Sequence, residues 1–340
     1  MKHELLTQNL YNTALMTPAF NGSGLNRLLI VSGYATSAMA SKHLTDFAEK
    51  SWNPHIDLVY GMAKVDGILK SVHEGFQKLA SSPLGSHFSC SYLAKGEAVH
   101  AKIYVWCRDA KPVLAYTGSA NYTEAAFIRG QRREVLTETN PQQAYAFFKS
   151  LKRDSVDCQD STVGDIFKIA IRMGKPKFEA NESIKNDKST VELTKDAKSE
   201  FLGLEKATVS LVDRSGNVPL RSNLNWGQRP EYNRDKNQSY LALRGDLRKS
   251  DFFPARGFHF TVLTDDNQII QCVRAQDGDK AIHTPHDNAQ LGRYFRGRLG
   301  LPSGTLVTTA DLQRYGRVAV DFYKIDDENY YMDFSKDSNA

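Results

Sequence analysis

An α/β first half followed by a second half rich in short β-strands is the architecture this sequence predicts. Three observations lead there. The 340 residues correspond to about two domains at roughly 150 residues each. Residues 175–200, KPKFEANESIKNDKSTVELTKDAKSE, hold twelve charged residues in twenty-six and a single aromatic, Phe178. Such a stretch cannot bury enough apolar surface to offset its ordering entropy, so it reads as a linker. The texture also changes across it, from apolar runs alternating with helical patterns to short aromatic-rich runs separated by turn residues. The expected division is therefore a first domain over 1–175, a linker over 176–200 and a second domain over 201–340.

In the first half, residues 27–34 (RLLIVSGY) and 55–62 (HIDLVYGM) read as buried strands, and residues 38–50 and 67–82 as helices. Strands alternating with helices argue for an α/β domain. In the second half the strand candidates are residues 208–212, 239–243, 258–263, 268–274, 317–323 and 330–334. Ser-Gly-Asn, Asp-Asp-Asn and Asp-Gly-Asp turns lie between them, the spacing of a small barrel or sandwich.

Composition excludes several classes. Hydrophobic residues are 41% and charged residues 24% of the chain, which is ordinary globular usage and not that of a collagenous or wholly disordered chain. No apolar run approaches the ~18 to 20 residues that span a bilayer, so no membrane association is expected. The start, Met-Lys-His-Glu-Leu-Leu, leads into no apolar core of a signal peptide. Cys90, Cys107, Cys158 and Cys272 form no C-x-x-C pair, which fits a reducing cytoplasm. Neither His283-Thr-Pro-His286 nor His73-Glu74 has the H-E-x-x-H spacing of a metal site.

The net charge is only +5, but it is clustered. Residues 221–249 hold seven basic residues against three acidic ones, and Arg293, Arg296 and Arg298 follow. Local basic stripes suit a surface that tracks phosphates, and they are equally common on solvated faces.

The chemistry concentrates at residues 99–106, VHAKIYVW. On a strand, His100, Lys102 and Tyr104 share one face while Ala101, Ile103 and Val105 share the other, so a polar pair lies opposite an apolar face. A second strand over 113–116 then runs into Thr117-Gly118-Ser119-Ala120-Asn121, a strand end offering a hydroxyl, an amide and free backbone N–H groups to an anion. A lone histidine on a strand is ordinarily structural, and a Gly-Ser turn is ordinarily only a turn. H-x-K followed by G-S-x-N is far more specific than either.

That combination resembles the phospholipase D superfamily, through His100, Lys102, Gly118, Ser119 and Asn121. The superfamily's aspartate would fall at Cys107; Asp109, two residues later, belongs to the turn Arg108-Asp109-Ala110-Lys111 and is not expected to act in catalysis. In the nuclease branch a glutamate on the next strand orients the histidine, which makes Glu134 the candidate and Glu138 a solvated alternative. The resemblance implies that His100 attacks phosphorus to give a covalent phosphohistidine. A second histidine would protonate the leaving oxygen, while Lys102, Ser119 and Asn121 balance charge on phosphorus without a divalent metal. The chain contains one H-x-K, so two histidines imply a homodimer with the site at its interface.

The second half supplies the expected substrate. Asn225, Trp226, Gln228, Arg229 and Arg234 fall in one loop, and Lys280, His283, Thr284 and Asn288 in another. Arg, Asn and Gln can make bidentate contacts to base edges; read blandly, Trp226 is a core anchor and the arginines are solvated. Residues 201–340 resemble the DNA-binding half of the NgoFVII family of restriction endonucleases, a B-three-type pseudobarrel. The resemblance is carried by LNWGQR (224–229), Phe252-Phe253-Pro254, Thr264-Asp265-Asp266, LGRYFRGRLGL (291–301), DLQRYGR (311–317) and YYMDFS (330–335). It implies two arms, residues 223–236 and 278–290, that enter the major groove.

The whole chain then reads as a cytoplasmic, Type II-like restriction endonuclease that cuts double-stranded DNA at a specific site; two reading domains on one dimer imply that two sites can be engaged at once, though the sequence does not fix the number. No cofactor is expected in the chain itself. ATP and magnesium would be needed only through a separate helicase-like ATPase, since the chain has no G-x-x-x-x-G-K-[ST]. A companion DNA methyltransferase is the expected partner of such a system. The rival readings are a DNA-binding protein on an inactive phospholipase D-like scaffold and a phospholipid phosphodiesterase.

Overall fold

The computed structural model describes residues 4–22, 24–130, 132–172, 200–201 and 203–336. The segment read as a linker lies outside the described residues except for Glu200. The chain divides into two compact units, Met1–Glu192 and Leu193–Ala340.

The first unit is built on strands β1 (Leu5–Leu6), β2 (Arg27–Ser32), β3 (His55–Tyr60), β4 (Ile68–Leu69), β5 (Phe88–Leu93), β6 (Lys102–Arg108), β7 (Lys111–Gly118), β8 (Leu136–Glu138), β9 (Ser155–Asp157) and β10 (Ile169–Ala170). Eight of them form one mixed sheet in the order β1-β8-β7-β6-β2-β3-β5-β9, and β4 pairs with β10 separately. β2, β3 and β5 are parallel and β6 runs antiparallel to β2. Strand alternation drives the layering. Leu28, Ile30, Leu58, Tyr104 and Trp106 enter one core, while Leu29, Val31, Val59, Val105 and Ala115 enter a second with Phe148 of the helix Pro141–Arg153. Met39, Leu44 and Phe47 of Ser37–Glu49 and Val72, Phe76 and Leu79 of Lys70–Ala80 cover the first face. Helix starts follow local chemistry: the Thr36 and Asn140 side chains accept from Met39 N and Gln143 N, satisfying orphan N–H groups of the first turn.

Two expected boundaries move. The helix expected over 67–82 begins at Lys70, because Gly67 adopts φ +78 and Ile68–Leu69 pairs with β10. The strand expected over 99–106 begins at Lys102. Ahead of it, Val99 N donates to Gly61 O and Ala101 O accepts from Gly33 N, so His100 rides on the ends of β2 and β3.

The second unit comprises β11 (Lys206–Ser210), β12 (Leu241–Ala242), β13 (His259–Thr264), β14 (Ile269–Ala275), β15 (Ala281–His283), β16 (Ala319–Lys324) and β17 (Asn329–Asp333). They form a seven-stranded sheet, β11-β16-β17-β13-β14-β15-β12, antiparallel except between β13 and β17. The edge strands β11 and β12 approach each other, nearly closing a barrel. Phe253, Phe260, Phe322 and Tyr330 fill it. Two helices that the strand pattern did not reveal, Gln290–Arg298 and Thr309–Tyr315, pack Leu291, Phe295 and Leu312 onto the same core. Among the described residues no helix is long and apolar enough to cross a membrane.

Candidate active site and nucleic-acid interface

Register places the catalytic candidates. Lys102 opens β6 directly opposite Ser32, the last residue of β2, and Thr117 near the end of β7 lies opposite Ile103. The Ser32 hydroxyl donates to Tyr34 O at 2.5 Å and accepts from Tyr122 N at 2.9 Å. It thereby ties the loop after β2 to the loop after β7. Asn121 Oδ1 accepts from Tyr34 N at 3.3 Å, which turns the amide nitrogen into the group left to donate. The exposed His100 ring packs edge-on against Tyr34, centroids 5.5 Å apart at 74°. Histidine and asparagine therefore meet at one residue.

Lys102 is 7% exposed, and its Nζ donates to His100 O at 2.7 Å. Burial pushes its ammonium pKa down, and the negative charge of Glu134 pulls it back up. Glu134 itself accepts from the Ser119 hydroxyl. That hydroxyl also accepts from Val135 N at 3.0 Å, and Ser119 N donates to Val135 O at 3.0 Å. The β7–β8 ladder thus continues past Gly118 and delivers Glu134 to Ser119. Gly118 is required there, since a Cβ would stand 2.0 Å from Val135 O. The sequence reading gave Glu134 the imidazole of His100; in this chain its hydrogen-bond partner is Ser119. Asp109 is a turn residue with φ +55, bonded to Asn26 through Oδ1 at 2.8 Å and through its N–H at 2.7 Å.

Sequence reasoning missed Ser32, Gly33, Tyr34 and Asp66. The Tyr34 hydroxyl donates to Asp66 Oδ2 at 2.5 Å, and burial followed by that carboxylate raises the phenol to about 12. The only signal for the first three was a polar Ser-Gly-Tyr ending an otherwise apolar strand, and Asp66, on a separate turn, had none.

The structure separates the DNA-reading candidates into two groups. Asn225 is fully buried: its Nδ2 donates to Pro219 O and Val307 O at 3.0 and 2.8 Å, and its Oδ1 accepts from Val307 N at 2.9 Å. Gln228 Nε2 donates to Lys236 O and Gly304 O, and the buried Thr284 hydroxyl donates to Asp287 O. These three staple loops. His283 Nδ1 and Asn288 Oδ1 lie 2.7 Å apart. Arg229 has Nε on Arg221 O, leaving its terminal nitrogens. Arg234 stacks over Trp226 at 4.2 Å and Tyr232 at 5.0 Å, and its buried NH1 has no hydrogen-bond partner.

The basic run at 293–298 is no phosphate-tracking stripe. Arg298 makes a two-pronged pair with Asp265, and Arg296 is 1% exposed among backbone carbonyls. Arg293 alone lies at the surface, paired with Asp287. A concave cationic site lies elsewhere. A cavity of about 630 Å³ is lined by Arg214, Arg244, Arg248 and Lys280, with Asp213 as its acidic member. Lys280 is one of the expected DNA-reading residues and Arg244 and Arg248 belong to the basic run 221–249; Arg214 was not anticipated from the sequence.

Comparison with known proteins fits both units. Residues 8–165 match the NgoFVII restriction endonuclease N-terminal PLD domain, and residues 200–326 match the NgoFVII C-terminal B3-like DNA-binding domain. The chain belongs to the NgoFVII restriction endonuclease family. It pairs a phospholipase D-like nuclease domain with a B3-like DNA-binding domain, the mixed sheet and the nearly closed barrel described above. Similar solved structures include NucT from Helicobacter pylori (16% identity, TM-score 0.32, covering 46% of this chain and 98% of that chain). A phospholipase D family member, Nuc from Salmonella typhimurium, has 17% identity and TM-score 0.30, covering 46% of this chain and 98% of that one. Polyphosphate kinase from Porphyromonas gingivalis has 14% identity and TM-score 0.32, covering 49% of this chain and 25% of the kinase. No curated protein sequence matches the chain.

Proposed function

We propose that this chain is a site-specific, Type II-like deoxyribonuclease that hydrolyses DNA phosphodiesters through a phosphohistidine on His100. The observation that carries the reading is the meeting of His100 and Asn121 at Tyr34, with the Lys102 ammonium on the His100 carbonyl. A ring nitrogen of His100 attacks phosphorus, the new N–P bond forms, and the P–O bond to the leaving strand breaks. A second histidine, His100 of the partner subunit in a homodimer, gives its proton to the departing oxygen. In the second step that histidine takes a proton from water, which attacks phosphorus and releases His100. Lys102 and the Asn121 amide face the non-bridging oxygens and supply the positive charge and donors that a metal ion provides elsewhere. Cleavage is accordingly proposed to need no divalent metal.

For recognition, Arg234 and Trp226 with Arg229 form the first arm, and His283 with Asn288 the second. The cavity of Arg214, Arg244, Arg248 and Lys280 suits backbone phosphates. Dependence on a separate helicase-like ATPase, and a companion methyltransferase, belong to the same proposal.

The test is digestion of a sequenced plasmid in EDTA by wild type and His100→Ala, without and then with a candidate ATPase and Mg-ATP. Discrete fragments in EDTA that vanish in His100→Ala are expected. Specific gel shifts without cutting in any condition would replace the nuclease by a DNA-reading protein, and lipid release without DNA cleavage would point to a phosphodiesterase of lipids.

A further inference from the structure

In the loop after β2 one side chain contacts the nucleophile candidate while its own main chain holds another member of the site. Tyr34 belongs to neither H-x-K nor G-S-x-N. Its ring is the edge-on neighbour of the His100 imidazole, its N–H fixes the Asn121 amide, and its hydroxyl is anchored on Asp66. Its carbonyl is held by Ser32. Asp66 ends the short helix Ala63–Asp66, followed by Gly67 at φ +78, so the anchor comes from a separate turn after β3. Tyr60, the last residue of β3, also packs against the Tyr34 ring, centroids 6.3 Å apart at 86°.

We propose that Tyr34, locked by Asp66, is a positioning residue that aims the His100 imidazole at phosphorus while its backbone sets the Asn121 amide. His100 needs such a device. Its backbone is held through Val99 and Ala101, but the residue is exposed, so close burial does not restrict its ring. An edge-to-face ring contact has defined geometry, and supporting residues with locked rotamers are what hold a catalytic group within the tolerance that attack requires. The two functions of Tyr34 are separable, because a side-chain substitution leaves its N–H in place.

The inference rests on the nuclease reading only for its activity arm. In the full-length protein, Tyr34→Leu is expected to lower kcat by about ten- to a hundred-fold with KM within twofold. Tyr34→Phe, which keeps the ring but loses the bond to Asp66, and Asp66→Ala, which loses the same bond, should fall together between wild type and Tyr34→Leu. The second arm is the ¹³Cε1–¹H resonance of His100 in histidine-labelled protein, assigned by its loss in His100→Ala. It should move in Tyr34→Leu and move less in Tyr34→Phe and Asp66→Ala. An unmoved resonance in Tyr34→Leu overturns the proposal whatever the activity, and so does wild-type kcat in that variant. Should wild type cut no DNA, the nuclease reading fails, and the resonance alone still decides whether Tyr34 positions His100. Should Tyr34→Leu not fold, Tyr34→Phe carries both readouts, and an unchanged kcat and resonance in both Tyr34→Phe and Asp66→Ala overturn the lock.

Discussion

Gly33→Ala is the sharpest perturbation of the active site that the geometry offers. Gly33 lies outside the left-handed region, so alanine is allowed by the backbone. A Cβ there would stand 2.5 Å from His100 Cδ2 and 3.2 Å from His100 Cα. Ordinary contact begins at 3.4 Å, so the ring must retreat by about 0.9 Å. A misplacement of about 1 Å can cost on the order of 10²-fold in rate, equivalent to about 2.7 kcal/mol of barrier at 1.36 kcal/mol per decade. Stability should respond far less. The His100 ring is exposed and can swing away, so the cost belongs at the low end of the ~1–3 kcal/mol for overpacking, and the lost glycine entropy returns about 0.4–1 kcal/mol. A net change within ~1 kcal/mol moves Tm by no more than about 4 °C in a unit of this size. Initial cleavage rates on a plasmid carrying the site, gel shifts and a thermal melt run on the same preparation test this. Cleavage within threefold of wild type would refute the claim that ring placement limits the reaction. Gly297→Ala, where a Cβ meets nothing within 4 Å, is the matched control and should cut normally.

Three further outcomes follow from named contacts. Lys102→Met should lower single-turnover cleavage by about 10²–10³-fold, as losing a fixed donor at a developing charge does, with DNA binding retained in a gel shift. Asn225→Ala strands Val307 N and two carbonyls inside the second unit; a loss of about 2–4 kcal/mol is expected, read as a lower calorimetric transition. His43 is fully buried, with Nδ1 on the Tyr122 hydroxyl and Nε2 on Leu15 O, and burial lowers its pKa to about 4. The fold holds the neutral ring, so its stability is intact above the unfolded value of about 6.5 and is lost as pH falls toward 4. The loss is roughly 3 kcal/mol at 1.36 kcal/mol per unit, and a Tm-against-pH curve that flattens in His43→Gln would bear it out.

The catalytic half was more legible than the reading half, for a physical reason. H-x-K and G-S-x-N bind residue types to a pleat, and alternation on β6 with the β6–β7 register leaves them few places to go. Ala101, Ile103 and Val99 do pack against the apolar core expected opposite them. Tyr34 escaped because its role depends on a parallel β2–β3 pairing and a turn thirty-two residues away, which spacing does not encode. In the second half, Asn, Gln and Thr match base edges and backbone carbonyls equally well. Asn225, Gln228 and Thr284 turned out to serve carbonyls. Basic residues turn inward in the same way: Arg274, outside both basic runs, points its guanidinium at five backbone carbonyls, those of Asp279, Ser250, Phe253, Pro254 and Arg248.

Arg296 draws out what those inward-facing cations do for the reading arm. Its guanidinium donates to Thr305 O at 2.7 Å, to Gly292 O at 3.2 Å, and to Leu224 O and Lys236 O at 3.3 and 3.2 Å. Burial pushes its pKa down and Asp235 pulls it up. Leu224 and Lys236 bracket the segment that carries Trp226 and Arg234, so the two ends of the arm are held on one side chain, with Asn225 fastening the near end to Val307. An arm fixed in advance loses less conformational entropy when it meets DNA, and the cation that fixes it need not touch a phosphate. Arg296→Met should therefore weaken binding to the specific site by about tenfold or more while leaving nonspecific binding, which is governed by surface charge, nearly unchanged. Competition gel shifts against nonspecific DNA at fixed salt distinguish the two. An equal loss on both DNAs would mean that Arg296 acts through charge, and the arm would have to owe its shape to Asn225 and Gln228 alone.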